Sequence, residues 1–189
     1  MTKTKQHANV YVYQMKVKLD DISPPIWRRI QVTNNITLGK LHRILQIIMG
    51  WSDYHLHEFI IDGISFGVPD KEGMFEVNNE KNVRLSQVVS EEKTKFVYIY
   101  DFGDYWQHKI LIEKILPQEP DMQYPICIKG KRTCPPEDCG GVGGYDDFLE
   151  TIQDPNHPEH DEMLKWVGGS FDPEAFDIDE INRELGKIR

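Results

Sequence analysis

The sequence predicts an α+β fold, a largely antiparallel or mixed sheet covered by one helix from the N-terminal half and by helices near the C-terminus. Three observations carry this. Apolar and polar residues alternate with period two over residues 10–19 and 26–32. Residues 95–101 and 107–115 are apolar on both faces and flank a short turn, as central strands do. Sustained helical spacing runs over residues 37–49 and returns in the chain from Tyr145 onward. The 189 residues, 39% hydrophobic, suffice for a single domain over 9–189, preceded by a flexible basic terminus at 1–8.

Over residues 10–19, Tyr11, Tyr13, Met15, Val17 and Leu19 face one way and Gln14, Lys16 and Lys18 the other. Pro24 and Pro25 cannot continue a ladder, so the chain turns there. A hairpin partner follows, with Ile26, Arg28, Ile30 and Val32 opposed to Trp27, Arg29 and Gln31. In it, Trp27 is expected to cover the hairpin and both arginines to be solvated.

In 37–49, Leu38, Leu41, Leu45 and Ile48 form an apolar stripe broadened by Ile44 and Ile47, which leaves His42, Arg43 and Gln46 outside it. Thr37 suits the N-cap and Gly50 the left-handed C′ position, from which Trp51 packs back on the last turn.

Asp62-Gly63 between apolar runs predicts a second hairpin. Residues 67–82 read as a polar excursion, and 83–89 as a helical turn or two. Asp101 to Trp106 reads as a turn between paired antiparallel strands, with Gly103 free to take positive φ and two aspartates able to accept backbone amides. The stretch YPICIKGKRTCPPEDCGGVGGY, 124–145, reads as a shaped loop, in which Glu137 and Asp138 cap the glycine-rich segment or the next helix. Helices are expected over 145–152, after Pro158, and over 178–185.

Net charge is −9, unevenly spread: residues 1–50 carry eight Lys or Arg against two Asp. The overall acidity argues against broad nonspecific duplex binding, and the basic first quarter leaves room for a local positive patch near the N-terminal hairpin, around Lys16, Lys18, Arg28, Arg29 and Arg43. No apolar run approaches the roughly 20 residues that span a membrane, and no signal pattern opens the chain, so a cytoplasmic protein without a membrane partner is expected.

Cys127, Cys134 and Cys139 have C-x6-C-x4-C spacing, unlike the paired C-x2-C of zinc knuckles. They read as reduced packing thiols, as a metal set completed by His157, or as a redox pair. Asp101, Asp104 and His108 form a polar cluster able to hold a divalent cation or to work as acid and base. His55 and His57, two apart, would share a face on a strand. There is no zinc-protease helix motif, phosphate loop or dinucleotide fingerprint. The turn at 101–106 and the loop at 134–141 are expected to meet at one end of the sheet. Their candidate binding pocket comprises Trp51, His55, His57, Asp101, Asp104, Trp106, His108, Glu137 and Asp138.

Together, several motifs give the chain a recognisable pattern: ISPPIWRR at 22–29, Gly50-Trp51 with His55 and His57, YDFGD at 100–104 with Trp106 and His108, CPPEDCGG at 134–141, and Phe171, Phe176 and Asn182 near the end. In these the chain resembles the plasmid pRiA4b ORF-3-like family. The resemblance implies a strongly bent sheet and a role with plasmids or transposable elements, and it transfers no reaction and no catalytic residue. Its members often lack a cysteine at position 139, so the resemblance speaks against a shared three-cysteine metal site. The expectation is a binding or adaptor protein whose partner is nucleic acid or another protein. The alternative is a metal-dependent hydrolase or nuclease using carboxylates and histidines, with a divalent metal as its cofactor.

Overall fold

The computed structural model describes residues 10–69 and 77–189. The expected basic terminus at 1–8 and part of the polar excursion, 70–76, lie outside the described residues. Among the described residues eight strands form one sheet: β1 (Tyr11–Leu19), β2 (Trp27–Thr33), β3 (His57–Ile61), β4 (Ile64–Gly67), β5 (Asn78–Asn79), β6 (Lys95–Tyr100), β7 (Trp106–Pro117) and β8 (Ile126–Lys131). Their spatial order is β5-β4-β3-β6-β7-β1-β2-β8. Neighbours pair antiparallel except β4 with β5, so the sheet is mixed and the fold α+β. No described helix is long and apolar enough to cross a membrane.

The helices are α1 (Leu38–Met49), α2 (Leu85–Val88), α3 (Gly141–Gln153), α4 (His160–Trp166) and α5 (Ile178–Gly186). On α1, the Thr37 side chain accepts the Lys40 amide and Gly50 sits at φ 77, as the cap residues require. Leu41, Ile44, Leu45 and Ile48 are buried in one core with Met15, Val17, Ile30, Tyr98, Ile110 and Ile112 of the sheet. Each such side chain contributes about 1.5–3 kcal/mol by leaving water. Edge strand β8 is anchored by α5, where the Asn182 amide accepts from Cys127 N (2.8 Å) and donates to Cys127 O (2.9 Å).

Four local expectations are corrected. The stretch 124–145 is not all loop: it contains β8 and the first turn of α3, because β2 offers 126–131 a free ladder. Arg28 is 3% exposed rather than solvated. Its register puts it on the core face with Ile30, where its guanidinium donates to the carbonyls of Ile48 (2.8 Å), Lys131 (2.9 Å) and Trp27 (3.0 Å) and lies against Phe176.

His42 and Gln46 are buried, not outside the packed face of α1. The Tyr98 hydroxyl accepts from Gln46 Nε2 (2.9 Å) and is hydrogen-bonded to His42 Nδ1 (2.7 Å) beneath the helix. In the turn after β6, the positive φ values belong to Asp101 (59) and Tyr105 (57) rather than to Gly103.

Candidate functional site

At one end of the sheet the β6–β7 turn, the segment after α1 and the segment after β8 converge. Asp104 Oδ2 accepts the Gly140 amide at 3.1 Å. Gly141, at φ 70, passes so close that a Cβ there would stand 2.6 Å from Asp104 O. Trp51 Nε1 donates to Pro135 O (2.9 Å) and the Ser52 amide to Glu137 Oε2 (2.8 Å). The Tyr100 hydroxyl accepts the Tyr54 amide at 3.1 Å and donates to Glu137 Oε1 at 2.5 Å. Burial first, and the Glu137 carboxylate second, push the Tyr100 pKa well up, so this phenol stays a donor.

The nine pocket residues divide. His55 Nε2 lies 3.0 Å from Asp138 Oδ1 and 3.7 Å from Asp101 Oδ2, and these three share one centre. Asp101 uses its other oxygen for the Gly103 amide at 2.9 Å. Glu137 is turned to Ser52 and Tyr100, so neither it nor Asp138 caps α3. The N-cap of that helix is Gly140, which has no side chain to offer. Trp51, stacked on Tyr100, and Trp106, tilted on Trp51, are buried beneath this end.

His108 is separate. It is 0% exposed in the core, with Nδ1 3.2 Å from Tyr98 O. Burial drives its pKa down to about 4. The expected Asp101, Asp104 and His108 cluster therefore does not form, because β7 directs His108 inward while both aspartates stay in the turn.

His57 does not share a centre with His55 either. His55 precedes β3, whereas His57 lies on it, stacked on His42 with ring centres 3.5 Å apart and planes 5° apart. His57 Nε2 meets Glu80 Oε2 at 2.9 Å and His42 Nε2 meets Asp53 Oδ1 at 2.8 Å. Burial, with His57 next, lowers the His42 pKa.

The cysteines go three ways. Among the described residues no close trio of metal-ligating atoms includes a cysteine or His157. The Cys134 thiol is buried beside Arg28 Nη2 and Met49 Sδ, both at 3.2 Å, and the Cys127 backbone is held by Asn182. Burial pushes the Cys139 thiol up to about 12, with Asp104 adding to it. All three stay protonated thiols at neutral pH, which weakens any nucleophilic or metal-ligand role.

Sequence reasoning missed Tyr100, His42, Asp53 and Glu80. Tyr98 and Tyr100 carried a usable signal: hydroxyls on the buried face of a central strand must find partners, and those partners mark the polar end of the core.

A second feature lies on the opposite face of the sheet. Pairing sets Lys131, Trp27, Lys18 and Lys109 in one row across β8, β2, β1 and β7. Lys129, Arg29, Lys16, Leu111 and Lys95 form the next row, reaching β6. Glu113 pairs with Arg29 (2.6 Å) and Asp20 with Lys109 (2.6 Å). These partners hold both carboxyls below their usual range. Trp27 is half-buried, with Lys16 Nζ 5.0 Å and the Arg29 guanidinium 5.3 Å from its ring centre. A hollow of about 370 Å³ on this face is lined by strand residues alone, among them Lys16, Lys18, Lys95 and Lys109.

The model of the family described as "Plasmid pRiA4b ORF-3-like protein" matches residues 11–180. The chain is similar to "Uncharacterized protein y4hQ" of Sinorhizobium fredii, with 39% identity over 179 residues, 94% of this chain and 92% of that protein. Its structure is similar to the crystal structure of the protein of unknown function MM3350 from Methanosarcina mazei Go1. The TM-score is 0.82 at 41% identity, over 92% of this chain and 98% of that one.

Proposed function

The chain belongs to the plasmid pRiA4b ORF-3-like family, and from that premise we propose that it is a nucleic-acid-binding accessory protein of plasmids or transposable elements, contacting single strands with the basic face of its sheet. The observation that carries this reading is the pair of cationic rows. Seven Lys and Arg side chains, on five neighbouring strands, face the same way as Trp27, with Glu113 and Asp20 as the carboxylates paired among them.

Neighbouring strands lie about 4.8 Å apart, so a backbone crossing β8 to β6 meets a cation at nearly every strand. Single strands suit the face better than duplex, because a base can lie on Trp27 while the rest of the molecule, net −9, repels a broad polyanion. Binding rather than catalysis fits the carboxylates at the sheet end, where Asp104 and one oxygen of Asp101 are committed to backbone amides.

The test is fluorescence anisotropy of a labelled 20-nucleotide oligo-dT with the full chain over a range of KCl. A face engaging about four phosphates should give a slope of log K against log salt of roughly −3. Reversal of Lys16 and Lys18 to Glu should weaken binding more than tenfold, and Trp27→Ala by about 1–3 kcal/mol. Absence of binding at low salt, or affinity indifferent to the reversal, would overturn the reading.

A further inference from the structure

We propose that His55, Asp101 and Asp138 form a binding site for a divalent first-row transition cation, of the Zn²⁺ or Mn²⁺ type, at the end of the sheet remote in role from the basic face. The ligand atoms are His55 Nε2, Asp101 Oδ2 and Asp138 Oδ1, mutually within 4.8 Å. Donors about 2.0–2.2 Å from one ion stand about 3.0–3.4 Å apart, for octahedral and tetrahedral arrangement respectively. The observed 3.0 Å and 3.7 Å from His55 Nε2 to the two carboxylates bracket that spacing.

The decisive atom is His55 Nε2. It is buried and makes no hydrogen bond, although a carboxylate oxygen stands 3.0 Å away. A buried ring nitrogen left without a partner is destabilising, so a partner is called for. Its direction does not suit donation to Asp138, which leaves the nitrogen free for a partner that the two nearby carboxylate oxygens could share. The carboxylates are held for that arrangement. Asp101 is buried, accepts the Gly103 amide with Oδ1 and donates its own amide to Leu56 O (2.9 Å), which fixes Oδ2 toward His55. Glu137, next to Asp138, is locked by Ser52 and Tyr100, which steadies the segment that carries the third ligand.

Two carboxylates and an imidazole with no thiolate suit Zn²⁺ or Mn²⁺. The Asp138 side chain is 68% exposed, so the coordination sphere has a solvent side where water or a ligand group can bind. The other cluster of like composition, His42, Asp53 and His57, does not serve. Its imidazoles are stacked in parallel planes, so their in-plane lone pairs cannot converge on one ion, and both His42 nitrogens are committed to Tyr98 and Asp53.

The competing account is a direct pairing of the His55 ring with the two carboxylates and no ion. Isothermal titration of Zn²⁺ and Mn²⁺ into the full chain, purified without an affinity tag and stripped with chelator, separates the two. One ion per chain should bind with micromolar or tighter affinity and raise the Tm by several degrees. His55→Gln and Asp138→Asn should each weaken binding at least tenfold. His160→Gln, in the exposed pair with Asp161, should leave binding unchanged. Asp138 is exposed, so its variant reports on the site without disturbing the fold, which circular dichroism verifies. No stoichiometric binding to the unsubstituted chain, or binding that survives both site variants, would overturn the proposal and leave the direct pairing.

Discussion

Acid should weaken this fold through one residue above all, His108. The ring is 0% exposed, packed at 5.2 Å from Tyr98 and edge-on to Trp51 at 5.3 Å. Nδ1 meets Tyr98 O, and Nε2 is buried without a hydrogen bond. An imidazolium there would lose its hydration with no carboxylate in compensation, so burial pushes the pKa down to about 4 against the pull of the Tyr98 and Trp106 carbonyls.

In the unfolded chain the same ring titrates near its ordinary value of about 6.5. The unfolded state therefore binds a proton that the folded state refuses. The stability contributed by neutral His108 is complete above about pH 6.5 and is lost as the pH falls toward 4. A depression of roughly 2.5 pH units corresponds to about 3 kcal/mol over that interval.

The perturbation is His108→Leu, which keeps the volume and removes the titration. Thermal unfolding followed by circular dichroism between pH 7.5 and 4.5 should show the unsubstituted protein losing more Tm than the variant, by about 5–10 °C for a chain this long. His42, whose pKa burial also lowers, contributes to both curves and cancels in the difference. Parallel curves would refute the reasoning, because they would mean that His108 is protonated or hydrated in the folded protein.

Other positions are open to test. Arg28→Leu deletes donors to three carbonyls, one of them at the C-terminal end of α1, and should cost about 3 kcal/mol by denaturant titration. Gly141→Ala puts a Cβ 2.6 Å from Asp104 O at a positive-φ residue. It should destabilise by about 2 kcal/mol and speed amide exchange at Gly140, whose proton Asp104 holds. Asn182→Leu should expose both polar groups of Cys127 on edge strand β8, costing about 1–3 kcal/mol and promoting aggregation at high concentration. His57→Gln removes the ring stacked on His42, so the His42 pKa should rise toward its ordinary value in a proton NMR titration.

The sequence by itself determined the elements whose signals are local. Thr37, the leucine and isoleucine stripe and Gly50 mark α1 to within a residue, because capping and helical periodicity act within a few positions. Alternation placed Arg28 on the core face of β2, although a charged side chain was expected in solvent. What buries it is a set of three carbonyls from α1, β2 and β8 that no local window contains.

The candidate pocket was legible as a list of polar residues on two rigid turns. Tertiary pairing alone sorted that list, giving Asp101 and Asp138 to His55, Asp104 to Gly140, Glu137 to Tyr100, and His108 to the core. The cationic rows were legible only in part, as Lys16, Lys18 and Arg29 of the first hairpin, for the same reason. Lysines 16, 18, 95, 109, 129 and 131 share a face only because the ladders β2–β8, β1–β2, β1–β7 and β6–β7 adopt one register. A strand's alternation tells which side chains share its own face, and only hydrogen bonding to its neighbours tells which residues of other strands join them there.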